Sequence, residues 1–116
     1  MITILPADKA FLESVSAPDG VDAMVLRDNA GNIYGHALFT VVGDTVEVLS
    51  VDTDEPMMTE GLIRSVLNTG DCRGAVTGLC RNEVLAPILK RLEFTQNDDA
   101  YTVSIHSFLY GECKCQ

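Results

Sequence analysis

The sequence predicts an α+β domain built on a mixed, mostly antiparallel sheet with flanking helices. Three observations carry that prediction. Strand-like segments follow one another from Ala23 to Val51, joined by turn chemistry at Asp28-Asn29-Ala30-Gly31-Asn32 and at Gly43-Asp44. The hydrophobic period then changes from two to about 3.6, with Leu62, Ile63, Val66 and Leu67 on one helical face. A short apolar run at Ala75–Cys80 and a second helical stripe follow, so a β-α-β crossover is appended to the antiparallel strands.

The elements follow in order. Ile2–Leu5 is a short apolar strand closed by Pro6, and Lys9–Val15 carries Ala10, Phe11, Leu12 and Val15 in a short helix. The turn Ala17-Pro18-Asp19-Gly20 ends that helix. Ala23–Arg27, Ile33–Val42 and Thr45–Val51 are the three serial strands; Thr45–Val51 alternates, with Val46, Val48 and Ser50 on one face and Glu47, Leu49 and Val51 on the other. Asn68-Thr69-Gly70 ends the first long helix. Ala75–Cys80 is a buried strand, and Asn82 caps a helix with the stripe Val84, Leu85, Ile88, Leu89 and Leu92. Pro87 pushes the regular start of that helix late. Gln96-Asn97-Asp98-Asp99 reads as a turn and Ala100–Ser107 as the last strand, placing His106 on it and Tyr110 just beyond.

At 116 residues the chain is read as one domain, 1–116, with a Cys-bearing tail over 111–116. Hydrophobic residues make up 47%, enough for a core. Seventeen acidic against eight basic residues give a net charge of −9, which repels nucleic acid and anionic membranes and favours neutral or cationic ligands. No membrane span and no signal peptide stand out, so a cytoplasmic protein is expected. Cys72, Cys80, Cys113 and Cys115 then read as free thiols. Their spacing lacks paired Cys-x-x-Cys knuckles, so no metal is expected; Cys113-Lys114-Cys115 sets thiols beside a cation.

Residues at the joints carry a family resemblance. Leu26-Arg27-Asp28 with Asn32-Ile33-Tyr34-Gly35-His36-Ala37 forms a hairpin, Val46–Val51 a strand, and Gly61–Asn68 a helix behind a strand end. Asn82 to Phe94 has the length and register of an N-x-x-A-x-x-L-Y-x-K-L-G-F signature, fitted by Asn82, Arg91, Leu92 and Phe94. This order, over about residues 21–110, resembles the GNAT superfamily of acyl-CoA-dependent N-acetyltransferases.

The resemblance implies transfer of acetyl from acetyl-CoA to a small amine. It places the backbone of Leu49, Ser50 and Val51 along the pantetheine arm, Asn82 toward the thiol arm, and Glu47 as the carboxylate that deprotonates the amine. Tyr101 and Tyr110 are the tyrosines that could replace the family's acid, whose position holds Leu89; Tyr101 is the one assigned. Of the family's pyrophosphate loop only Gly61 remains, within Pro56–Gly61, and the usual glycine before Phe94 is Glu93. The N-terminal region supplies one helix where the family has two.

The same residues have plainer accounts. Glu47 suits a solvated strand face, Asn82 a helix cap, and Tyr101 strand packing. His36 and His106 suit structural roles on their strands. Asp52, Asp54, Glu55 and Glu60 lie around the junction where phosphate would meet a helix N-terminus, and carboxylates there stabilise the helix themselves. Met57 and Met58 could cover an apolar patch or a partner. The competing reading is therefore a degenerate member of the same fold: a binding or dimerisation module, such as a homodimer, without cofactor affinity.

Overall fold

The computed structural model describes residues 2–110; Met1 and residues 111–116, with Cys113 and Cys115, lie outside the described residues. Seven strands form one sheet: β1 (Ile2–Pro6), β2 (Asp22–Asp28), β3 (Ile33–Val42), β4 (Thr45–Thr53), β5 (Thr77–Cys80), β6 (Thr95–Asn97) and β7 (Ala100–Ser104). Their spatial order is β1-β2-β3-β4-β5-β7-β6. All neighbours are antiparallel except β4 and β5, the parallel pair of the crossover. The helices are α1 (Lys9–Ser14), α2 (Pro56–Cys72), α3 (Ala86–Arg91), preceded by a 3-10 turn at Glu83–Leu85, and α4 (Ile105–Tyr110). No described helix is long and apolar enough to cross a membrane.

The core lies on one face of the sheet. Met24, Leu26, Ala37, Phe39, Val46 and Val48 alternate into it, and Leu62, Ile63, Val66 and Leu67 of α2 meet them. Leu89 of α3 and Ile105 of α4 complete the layer. On the other face α1 covers β2 and β3, and the Phe11 ring meets His36 edge-on at 5.2 Å. His36 is half-buried and packs against that ring.

Three elements differ from the sequence reading. Gly70 does not end α2; it lies inside the helix, where a Cβ would stand 2.6 Å from Val46 Cγ1. The glycine serves close helix–sheet contact, and α2 runs on to Cys72. Ala100–Ser107 is not one strand. β7 stops at Ser104, and Ile105, Phe108 and Leu109 turn inward at helical spacing as α4, so His106 and Tyr110 sit on a helix. The Tyr110 hydroxyl donates to Asp71 at 2.8 Å, tying α4 to the end of α2. Finally, Thr95–Asn97 pairs with β7 as a short edge strand, with Asp98 at φ 56° in the hairpin turn.

Candidate functional site

The site begins where the parallel pair ends. β4 and β5 pair only over Thr45–Val48 against Thr77–Cys80. Beyond that point β4 runs on to Thr53 paired with β3 alone, while the chain after Cys80 turns into the 3-10 segment. The register against β3 steps between Leu38↔Ser50 and Phe39↔Val48, so Leu49 is the extra residue of a β-bulge. The bulge bends β4 away from β5 and opens a wedge between β4 and α3.

Asn82 holds the narrow end of the wedge. Its Oδ1 accepts the Val84 N–H at 3.0 Å, capping the helical segment. Its Nδ2 donates to the Leu49 carbonyl at 3.1 Å, across the splay. One amide therefore caps the helical segment and ties it to the backbone of β4.

The wedge widens into a cleft of about 290 Å³ lined by Val51, Pro56, Thr59, Val84, Pro87 and Ile88, with Thr53, Asp54 and Leu85. The walls are mostly apolar. Met57 and Met58 do not fill it. Met57 is 80% exposed, and Met58 packs beside Ile2, Leu26 and Tyr34 in a separate hollow.

The outer end of the cleft is acidic. A two-residue connector, Asp54-Glu55, joins β4 to α2. Glu55 is the N-cap and makes no side-chain capping bond, and Pro56 occupies the first turn. Gly61 is not at this mouth. It lies in the second turn of α2, where a Cβ would face Ile4 of β1 at 3.5 Å, because the helix starts at Pro56.

Glu47 projects from the face of β4 opposite Val46 and Val48, two residues before the bulge. Its side chain is 20% exposed, and Arg81 Nε lies 4.0 Å from its carboxylate. Leu79 is its register partner on β5. This carboxylate is partly enclosed and does not line the cleft.

Tyr101 lies on the core face of β7 beside Cys80 and is 1% exposed. Its hydroxyl donates to Glu83 at 3.5 Å. Burial, reinforced by the Glu83 charge, raises its pKa, so it stays protonated near neutrality. Cys80 is a buried free thiol whose pKa is likewise pushed up by burial, the signature of a core residue. Leu89 of α3 is fully buried.

A second groove was not anticipated. It encloses about 480 Å³ between Glu60 and Arg64 of α2, Arg91, Leu92 and Glu93, and Val103, Ser107 and Phe108. Glu60 accepts from Arg64 at 3.4 Å and from Arg91 at 3.2 Å, and the Arg64 guanidinium sits 4.8 Å over the Phe108 ring. The i,i+4 spacing of Glu60 and Arg64 is visible in the sequence; Arg91 arrives from the end of α3 and Phe108 from α4, contacts that only the tertiary fold brings about. Among the described residues no group of three or more His, Cys, Asp or Glu is placed to hold a metal ion.

No family model and no curated protein sequence matches the chain. Solved structures do. An acetyltransferase of the GNAT family from Staphylococcus aureus superposes with a TM-score of 0.69 at 10% identity, covering 90% of this chain and 99% of that one. A GNAT family acetyltransferase from Elizabethkingia anophelis with acetyl-CoA bound gives 0.69 at 10% identity, covering 89% and 97%. The ribosomal-protein-S18-alanine N-acetyltransferase from Escherichia coli gives 0.68 at 13% identity, covering 88% and 91%. The fold is that of the GNAT acyl-CoA N-acyltransferases, an α+β fold with a mixed seven-stranded sheet.

Proposed function

We propose that this protein is an acyltransferase of the GNAT type that moves an acetyl group from a thioester donor, acetyl-CoA by the usual chemistry of the fold, to the amine of a small molecule. The observation that carries the reading is the wedge: β4 and β5 part after Val48 and Cys80, and the gap beyond them remains open. The bulge at Leu49 lies where the two strands part and leaves the end of β4 without β5 as a partner, which supports a ligand there. The acetyl-CoA bound to the Elizabethkingia anophelis protein, which shares the fold, supports a thioester as that ligand.

In this reading the wedge orients the donor along the free edge of Ser50 to Thr53, with Asn82 fixing the width of the slot. Glu47 accepts a proton from the acceptor amine, leaving a lone pair to attack the thioester carbon. The N–C bond forms, the C–S bond breaks, the nitrogen gives its second proton to water, and the sulfur leaves as thiolate. The thiolate takes its proton from water. Tyr101 is a poor donor for that step because burial and Glu83 raise its pKa, so we assign it to packing and to holding Glu83 at the start of the 3-10 turn.

A second reading has its own observation. The Asp54-Glu55 connector offers a phosphate like charge, which favours a module that keeps the frame without the cofactor. One titration separates the two. An acetyl thioester should give saturable heat, and Val51→Trp, which fills the cleft, should abolish it. Absence of heat with every acetyl thioester at millimolar concentration would leave only the module.

A further inference from the structure

We infer that the acyl donor is a pantetheine thioester gripped without its nucleotide: the wedge between β4 and α3 binds the amide-bearing arm, and the mouth rejects the phosphates. The inference rests on the acyltransferase reading and specifies the donor of that same site.

The wedge suits the arm. One wall is the edge of β4 from Ser50 to Thr53, which pairs with β3 on its far side and has no backbone partner on the near side among the described residues. The other wall is apolar, from Val84, Pro87 and Ile88. An extended chain that alternates amides with methylenes can pair with the free edge and bury its methylenes, as an added strand would. The arm is uncharged, so the slot binds it whatever the charge of the protein.

The mouth does not suit phosphates. An anion site at a helix N-terminus needs several free N–H groups. Pro56 has none. Met58 and Thr59 both donate to the Glu55 carbonyl, at 2.9 and 3.1 Å. The Glu55 N–H donates to Thr53 Oγ1 at 3.4 Å, and among Pro56, Met57 and Met58 only Met57 keeps an N–H without a backbone partner. The exposed carboxylates of Asp54 and Glu55 flank it. A connector of two residues is also too short to wrap a pyrophosphate. The arginines on the neighbouring helix surfaces do not compensate: Glu60 already holds Arg64 and Arg91, and Arg64 lies over Phe108.

The test is calorimetry of the whole protein with S-acetyl-pantetheine and acetyl-CoA side by side at low salt. S-acetyl-pantetheine is expected to bind at least as tightly as acetyl-CoA, with the gap narrowing as salt screens the mouth. Tighter binding of acetyl-CoA by about tenfold or more, worth ~1.4 kcal/mol, would overturn the inference and leave the acyltransferase reading standing. No heat from either thioester would remove both. A second arm uses Asp54→Asn with Glu55→Gln, changes at exposed side chains of which Glu55 makes no capping bond. Affinity for acetyl-CoA should rise by about tenfold while that for S-acetyl-pantetheine stays level. An unchanged affinity for acetyl-CoA would also overturn the inference.

Discussion

At the residue scale the most informative side chains are those whose surroundings fix their chemistry. Glu47 is one: if it takes the amine proton, Glu47→Gln should cut acetyl transfer at neutral pH by roughly a hundredfold or more, measured as thioester consumed across a panel of amines. An unchanged rate would remove it as the base. Asp28 is another. Its carboxylate accepts from the Tyr34 hydroxyl at 2.7 Å, from the Asn32 amide at 3.0 Å and from the Ala30 and Asn32 N–H groups. The Tyr34 bond, then the Asn32 bond, lower its pKa from 3.8 to about 2. Because the folded value lies below the unfolded one, the charged carboxylate stabilises the fold above pH 3.8, and that support drains away as pH falls toward 2. Tyr34→Phe should move the Asp28 titration, followed by carbon-13 NMR, back toward the ordinary range and flatten stability against pH across that window. Neither property of Asp28 could be read from sequence beyond the turn itself. The hairpin was legible from Asp28 and Gly31, but the return of Tyr34 onto the carboxylate depends on the register of β2 and β3.

At the element scale, α2 and the wedge explain what was legible and what was not. The stripe Leu62, Ile63, Val66 and Leu67 announced the helix, since its period is a local property. Its end was misplaced because Gly70 looks like a stop signal when only neighbours in sequence are considered. Its real constraint is Val46 on β4, twenty-four positions away. Gly70→Ala should therefore destabilise by about 1–3 kcal/mol despite the better helix propensity of alanine, as seen by urea unfolding. Adding Val46→Ala should recover part of that loss. α4 was hidden for a related reason: Val103 and Ile105 look like strand residues, and only the end of β5 stops the ladder there, with the Ile105 N–H donating to Val76 at 3.0 Å. Asn82 was legible as a cap, while its bond to Leu49 O was not. Asn82→Asp keeps the cap acceptor and loses the donor, leaving the Leu49 carbonyl facing a carboxylate. The expected cost is about 1–3 kcal/mol, with weaker thioester binding, measured by denaturant melts and calorimetry. A variant as stable as the parent would argue against the clasp.

At the scale of the whole molecule, one buried cluster joins the sheet to α2, α3 and α4. α2 meets β2, β3 and β4 on the inner face, and Phe94 against Phe108 at 6.0 Å links the loop after α3 to α4. Because that cluster runs from β2 to β7, unfolding should be two-state, with equal calorimetric and van't Hoff enthalpies. A resolved second transition would show that the β5–β7 half unfolds alone. The fold was legible because order and period are chain-wide patterns, whereas the wedge was not, because a bulge is set by the mismatch between two strands. The connector between Thr53 and Pro56 has one more consequence, for engineering. It is an exposed two-residue link between a strand and a helix, and lengthening an exposed loop carries only a slowly growing entropic cost. A glycine-rich segment transplanted there is thus expected to leave the sheet and helices intact while adding the backbone donors a nucleotide needs, making nucleotide recognition an interchangeable part of this scaffold.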